Sequence, residues 1–140
     1  MSRRHGGFTL VEIMVVVVII GLLAGIVGPR ILDQLNEAKV KTTGTQIANL
    51  GQSLELFHLD NGFFPTTAQG LKALIEKPNI PPEPKNYKRG YLNTSELPKD
   101  GWGNDFIYRC PGERNDYDII SLGADAKEDG EGFNADIINK

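Results

Sequence analysis

The chain has 140 residues and a net charge of −3, with 15 lysines and arginines against 18 acids, so no basic surplus indicates a nucleic-acid partner. Its single cysteine, Cys110, excludes an intrachain disulfide. The sequence contains no phosphate-binding glycine loop, nucleophile elbow or zinc-protease motif, and neither His5 nor His58 has a cysteine or a second histidine at metal-ligand spacing. The sequence therefore predicts a protein that is not an enzyme.

The N-terminus joins a short basic leader to a long apolar segment. Residues 1–7 contain Arg3 and Arg4, and residues 8–28 are apolar with one charged side chain, Glu12. A helix of this length spans the hydrocarbon core of a bilayer. Because positive residues stay on the cytoplasmic side, the leader predicts a cytoplasmic N-terminus and a single membrane span.

Glu12 is the first candidate functional residue. A carboxylate in a membrane helix costs about 3 kcal/mol at the bilayer centre and less near an end, so a partner must offset that cost. No small-residue cleavage site follows the apolar segment, as one would in a secretory signal peptide. The flexible Gly7–Phe8 junction before the segment is the expected cleavage point.

The run Gly7-Phe8-Thr9-Leu10-Val11-Glu12 resembles the class III signal of type IV pilins and pseudopilins. The resemblance implies that a prepilin peptidase cleaves between Gly7 and Phe8 and then N-methylates Phe8. It also implies that the Glu12 carboxylate pairs with the Phe8 amine of a neighbouring subunit during assembly. The alternative interpretation is a signal anchor with an incidental glutamate.

Small residues and a proline interrupt the second half of the apolar segment. Gly21 and Gly25 form a pattern that lets membrane helices approach closely. Gly28 and Pro29 favour a weakened helix, because proline lacks the backbone N–H and clashes with the preceding turn. Pilin relatives carry a proline at this position, so close packing with local melting is preferred over a simple lipid-facing role.

Beyond Pro29 the apolar residues recur at helical spacing, which predicts one helix from about Phe8 to Leu59. Asp60-Asn61-Gly62 ends it, since these residues tolerate turns. A second, short helix is expected over residues 68–77, capped by Thr66 or Thr67. A proline-rich loop over 78–89 and three strands follow, the last two as a hairpin; the strands are expected over 90–93, 104–109 and 117–121.

Four downstream segments resemble the major pseudopilins of type II secretion: residues 64–74, 97–104, 121–125 and 134–137. The resemblance implies an α+β, type IV pilin-like fold. Its long N-terminal helix spans the membrane in its first half and packs on a small domain with a short helix and a three-stranded antiparallel sheet. On this basis 1–7 is a removable leader, 8–28 the membrane and assembly helix, and 29–140 the periplasmic domain.

The same resemblance implies a structural subunit of the inner membrane that polymerises with itself into a periplasmic pseudopilus. That filament drives export of folded proteins across the outer membrane. The implied partners are minor pseudopilins, the prepilin peptidase, an inner-membrane assembly platform with its ATPase, and membrane lipid. A type IV pilin or a minor pseudopilin is the alternative, and a membrane-anchored enzyme would need a catalytic cluster that residues 60–140 do not show.

The last twenty residues form an acidic, glycine-rich loop over about 121–140. Its chemistry alone favours a solvated loop, because its spacing is not that of an EF-hand. The resemblance instead implies a calcium site. Its expected ligands are the side chains of Asp125 and Asp136 and the carbonyls of Leu122 and Ala124, with Asn134 as a weaker candidate.

Three positions depart from the pattern of these pseudopilins. Gly101 stands where proline is common and is expected to loosen its turn by widening backbone freedom. Ala126 occupies a position that is commonly glycine, and Asp129 breaks a usual pair of glycines. If residue 126 needs a positive φ angle, alanine is expected to be strained there.

Overall fold

The computed structural model describes residues 6–140, which form two compact units. The first unit ends at Asn36 and the second is Glu37–Lys140. Helix α1, Leu10–Asn61, contributes to both units, close to the predicted bounds. Its N-terminal part is long and apolar enough to cross a membrane, and none of that part is buried within the protein. The first unit therefore has the properties predicted for a membrane segment.

The core of the second unit lies along one face of α1. Ile47, Leu50, Leu54 and Phe57 are buried there, at the three- and four-residue spacing that the sequence predicts. They pack with residues from the rest of the chain, among them Leu71, Leu74, Tyr108, Tyr117 and Ile119. The apolar stripe of this helix half is thus core, as expected.

Three short strands form one antiparallel sheet in the order β1-β2-β3. They are β1, Ile107–Arg109; β2, Asp118–Ser121; and β3, Ile137–Ile138. Ile107, Ile120 and Ile138 lie opposite one another across the sheet. Because alternate residues of a strand face opposite sides, these isoleucines lie on one face and the core residues Tyr108 and Ile119 on the other.

The third strand is not where the sequence predicted it. Residues 90–93 form no strand; the N–H groups of Tyr91 and Leu92 instead donate to the Leu74 carbonyl at 2.6 and 3.2 Å. These two bonds hold the residues that follow the proline-rich segment against Leu74, and not against the sheet. The third strand, β3, lies within the segment that was expected to be only a loop.

The second helix is shorter than predicted. Only a 3-10 turn, Leu71–Leu74, forms within residues 68–77. Thr66 and Gln69 bond reciprocally just before it: Gln69 N–H donates to Thr66 Oγ1 at 3.2 Å and Thr66 N–H to Gln69 Oε1 at 3.0 Å. Gly70 then has a φ angle of 62°, which no right-handed helix allows, so the turn starts only after it.

The turn that contains Gly101 is held firmly, contrary to expectation. Gly101 N–H donates to Thr43 Oγ1 of α1 at 2.9 Å. The buried Asp100 carboxylate accepts bonds from the N–H groups of Trp102 and Asn104 and from Ser121 Oγ, at 3.0, 2.8 and 2.7 Å. A proline at 101 would lack the N–H that Thr43 binds, so glycine fixes this turn to the helix.

Candidate functional site

The predicted cleavage junction lies just outside the helix. Gly7 and Phe8 precede the start of α1 at Leu10. An added Cβ at Gly7 would meet no atom of residues 6–140 within 4 Å, and the Phe8 residue is 83% exposed. A protease must bind the backbone around the bond that it cuts in an extended form, and this junction leaves that backbone free. The processing site itself stays a prediction.

Glu12 lies in the first turn of α1 and closes a capping box with Thr9. Glu12 Oε2 accepts a hydrogen bond from Thr9 N–H at 2.8 Å. In return, Glu12 N–H donates to Thr9 Oγ1 at 3.2 Å. The first N–H groups of a helix have no partner within it, and this reciprocal pair satisfies two of them. The negative charge also lies at the positive end of the helix dipole, where it is stabilised.

The capping box gives Glu12 a partner within its own chain. The partner expected for this carboxylate from the resemblance was an amine on a neighbouring subunit, and Thr9 was not among the expected partners. A Thr-x-x-Glu spacing before an apolar segment is the sequence signature of a capping box, so the signal was present. Two roles for Glu12 are therefore compatible: it caps the N-terminal end of α1 in the single chain, and its carboxylate lies close to the cleavage junction.

Pro29, the third predicted assembly residue, lies inside α1. The helix continues without a break through Gly25, Gly28 and Pro29, so the single chain shows no melted segment there. The glycines Gly21, Gly25 and Gly28 have open space where a side chain would stand. That space leaves room for a second helix to approach, and local melting on assembly stays a prediction.

The C-terminal loop brings the predicted calcium ligands only partly together. Ala124 N–H donates to the Phe133 carbonyl at 2.9 Å. An added Cβ at Gly123 or Gly130 would meet the Asn134 backbone at 2.8 and 2.5 Å, so the two sides of the loop are in contact. Among residues 6–140, no three His, Cys, Asp or Glu side chains cluster at metal-binding distance. A cation here would therefore depend on backbone carbonyls.

The two predicted carboxylate ligands differ in how far the loop satisfies them. Asp125 Oδ1 accepts a bond from Lys127 N–H at 3.2 Å in an exposed turn. Asp136 Oδ2 accepts one from Asp129 N–H at 3.2 Å, while Asp136 Oδ1 is buried and has no hydrogen-bond partner among residues 6–140. Burying a carboxylate oxygen without a partner is costly, and a bound cation would remove that cost. Of the two predicted carboxylates, Asp136 is therefore the one with an oxygen left for a cation.

Comparison with known proteins matches both parts of the chain. Residues 2–28 match the prokaryotic N-terminal methylation motif, and residues 30–140 match the family of type II secretion system protein G. A solved relative, the major pseudopilin from the type 2 secretion system of enterohaemorrhagic Escherichia coli, superposes with a TM-score of 0.65 at 39% identity. The superposition covers 74% of this chain and 87% of that one, which confirms the predicted fold.

Curated relatives carry one name, type II secretion system core protein G. The Vibrio cholerae protein is 49% identical over 138 residues, covering 98% of this chain and 92% of its own length. The Pseudomonas aeruginosa protein is 47% identical, covering 98% and 96%. The apolar helix and the methylation motif fit a membrane-anchored subunit that assembles with other secretion components. The chain belongs to the core protein G family of type II secretion, the major pseudopilins, which are structural subunits and not enzymes.

Proposed function

We propose that this chain is processed at Gly7–Phe8 and polymerises into the periplasmic pseudopilus that drives export of folded proteins across the outer membrane. The observation that supports this most directly is the accessible junction placed next to Glu12 at the start of an unburied apolar helix. Polymerisation would cover that apolar surface, and helix packing needs the open space around Gly21 and Gly25.

The proposal includes a single-pass topology in the inner membrane. Arg3 and Arg4 would hold the N-terminus in the cytoplasm, where a prepilin peptidase would remove residues 1–7 and methylate Phe8. Residues 29–140 would then lie in the periplasm. Since the chain has no nucleotide-binding motif, the work of extraction would come from the ATPase of the assembly platform, with minor pseudopilins at the filament tip.

Glu12 is proposed to select the docking position of each incoming subunit. Cleavage would expose the Phe8 amine four residues away, and the carboxylate of a neighbour is the charge that would neutralise it. We expect Glu12→Gln to insert into the membrane and to be cleaved normally, yet to form few filaments, because a neutral amide cannot pair with the amine. Electron microscopy and shearing of filaments from cells measure the loss. Normal filaments from Glu12→Gln contradict charge pairing.

Mass spectrometry of the mature N-terminus from native membranes tests the processing step. The expected product begins at N-methylated Phe8. A chain that retains residues 1–7, or one cut beyond Gly28, contradicts the proposed function. Gly7→Val is the matched variant: we expect it to stay uncleaved because a branched side chain obstructs the junction that glycine leaves open.

A calcium ion is proposed to hold the C-terminal loop closed. Asp136 and Asp125 would supply carboxylate oxygens, and Leu122 and Ala124 would supply carbonyls, with Asn134 as a further ligand. Calcium takes six to eight such oxygens, and the loop has little apolar surface of its own to stabilise it. When bound, the ion would supply charge neutralisation and cross-linking, with no catalytic chemistry.

Thermal unfolding of a soluble 33–140 fragment, which includes the whole second unit, tests the calcium site. Millimolar calcium is expected to raise the Tm by several degrees, since a ligand of the folded state adds RT ln(1 + [L]/Kd) to its stability. Asp136→Asn and Asp125→Ala should abolish the shift. Asp116→Ala, which removes an exposed acid outside the loop, should retain it. An unchanged Tm in the parent fragment contradicts the site.

A further inference from the structure

One serine hydroxyl links the base of the C-terminal loop to the turn that lies on α1. Ser121, the last residue of β2, has no exposed surface. Its Oγ donates to Asp100 Oδ2 at 2.7 Å and accepts the Gly123 N–H at 3.4 Å. Gly123 lies between Leu122 and Ala124, whose carbonyls are the calcium ligands proposed above. The Ser121 hydroxyl therefore fixes the backbone at the point where the loop leaves the sheet.

Beyond its base the loop has little to hold it closed. Residues 124–132 are all exposed, and the two sides of the loop meet where the Ala124 N–H donates to the Phe133 carbonyl at 2.9 Å. A segment with few buried contacts opens locally at a free energy well below that of the whole domain. We therefore expect the loop to exchange between a closed and an open form, with a balance that depends on the bonds at its base.

The other end of this chain of hydrogen bonds lies on α1. Thr43 has no exposed surface, and its Oγ1 accepts the Gly101 N–H at 2.9 Å while it donates to the Lys39 carbonyl at 2.8 Å. Because Gly101 follows Asp100 directly, any shift of the turn on the helix also moves the Asp100 carboxylate. Hydrogen bonds therefore run from α1 to Gly123, joined by the peptide link between Asp100 and Gly101.

Asp100 connects the two ends because its two oxygens bind different parts of the chain. Oδ1 accepts the N–H groups of Trp102 and Asn104 within the turn, whereas Oδ2 accepts the Ser121 hydroxyl. A carboxylate is planar and rigid, so neither oxygen moves without the other. Asp100 is 6% exposed and takes part in no ion pair within residues 6–140. Its position is therefore set by these hydrogen bonds and not by a neighbouring cation.

We propose that Asp100 is a positioning residue that couples the C-terminal loop to α1, so that the loop stays closed while Thr43 holds the turn against the helix. The coupling goes beyond the proposed function, since it needs neither a metal ion nor a second subunit. Because energetic coupling between two sites is reciprocal, opening the loop should also loosen the turn on α1. A disturbance of α1 near Lys39 would then change the order of the loop.

Amide hydrogen exchange of the full-length chain in detergent, without calcium, tests the coupling. Thr43→Val replaces the hydroxyl by a methyl group of similar size and leaves the Gly101 N–H without its acceptor. Peptides that cover residues 122–135 are expected to exchange about three to ten times faster, the equivalent of one hydrogen bond. Thr43→Ser keeps the hydroxyl, and these peptides should then exchange as they do in the parent chain.

Ser121→Ala tests the same coupling from its other end. The variant removes the hydroxyl that lies between Asp100 and Gly123. It should speed exchange in residues 122–135 and, by a similar factor, in the turn over residues 100–104. This result decides the matter even where Thr43→Val fails to fold. Since calcium is absent throughout, failure of the proposed calcium site would leave both results unchanged.

Thr45→Val is the matched control on the same helix. Thr45 Oγ1 also donates to the carbonyl four residues before it, at 3.0 Å, but it lies on an exposed part of α1. Equal exchange of residues 122–135 in Thr43→Val and Thr45→Val overturns the coupling. Peptides that cover residues 47–57 in the core are the internal reference. If Thr43→Val speeds exchange there by the same factor as in the loop, the effect is general destabilisation, and the coupling is likewise overturned.

Discussion

Two residues of the C-terminal loop other than glycine have positive φ angles, 55° at Ala126 and 65° at Asp129. A left-handed backbone brings Cβ of an L-residue too close to its own carbonyl oxygen, which costs about 1–2 kcal/mol. Aspartate reduces that cost by local hydrogen bonding, and alanine has no such means. The positive φ angle on which the expected strain at residue 126 depends is thus present, at a position between the predicted ligands Asp125 and Asp136.

We therefore expect Ala126→Gly to stabilise the domain by about 0.5–1 kcal/mol. The substitution relieves the strain of the folded state, and the greater entropy of glycine in the unfolded chain offsets part of that gain. Ala135→Gly is the control, because Ala135 has an extended backbone with φ −65° and should lose about 0.5–1 kcal/mol. Urea unfolding of the 33–140 fragment measures both. Destabilisation by Ala126→Gly would show that the loop does not store this strain.

At the scale of the elements, close backbone contact attaches the Asp100–Asn104 turn to α1. An added Cβ at Gly101 would lie 2.8 Å from the Lys39 Cα atom, inside any allowed contact. Gly44, less than two turns along the same helix, faces open space with nothing within 4 Å. The two glycines thus have opposite roles: Gly101 is required by packing, whereas Gly44 only weakens the helix.

Alanine at these two positions should change stability in opposite directions. Gly101→Ala is expected to lower the free energy of unfolding by about 1–3 kcal/mol, because the turn must move off the helix. Gly44→Ala should raise it by up to about 1 kcal/mol through helix propensity. Both are measured by chemical unfolding of the 33–140 fragment. If Gly101→Ala were neutral, the turn would not be packed against Lys39 in solution.

Sequence periodicity predicts α1 well because helical spacing over many residues is a strong, local signal. It predicts β1 and β2 for a related reason: alternating residues flank a turn at Pro111-Gly112. It misplaces the third strand because β3 has only two residues, and their pairing with Ser121 and Ile120 depends on the fold. The burial of Asp118 was not predicted, since an aspartate next to a turn is typical of an exposed position.

At the scale of the whole molecule, the core contains two buried tyrosines, Tyr108 and Tyr117, and two partly buried ones, Tyr87 and Tyr91, pack against it. Burial, as the largest cause, raises the pKa of Tyr87, Tyr91, Tyr108 and Tyr117 above the ordinary value of 10. Tyr108 is shifted most clearly, and its hydroxyl donates to the Pro65 carbonyl at 2.8 Å. A raised pKa in the folded state means that the native fold favours the neutral phenol.

This contribution to stability is complete below the unfolded pKa of about 10 and is lost as the pH rises towards the folded pKa. We expect the free energy of unfolding of the 33–140 fragment to fall steadily above about pH 10. Tyr108→Phe should weaken that fall, although it lowers stability at pH 7 by removing a buried hydrogen bond. Urea titrations at several pH values measure the slope. An identical slope in the parent and in Tyr108→Phe contradicts the assignment.

The capping box of Thr9 and Glu12 has a consequence for the fidelity of filament growth. In the single chain the Glu12 carboxylate is not without a partner, because one of its oxygens already accepts the Thr9 N–H at 2.8 Å. If the proposed pairing of Glu12 forms, joining a filament would exchange this hydrogen bond for the amine of a neighbour, and the net gain would be smaller than the cost of a carboxylate without any partner. A neighbour in the wrong position would break the hydrogen bonds between Thr9 and Glu12 without placing an amine beside the carboxylate. We thus expect the addition of a subunit to stay reversible until Glu12 lies beside the amine of its neighbour, so that wrongly placed subunits can dissociate.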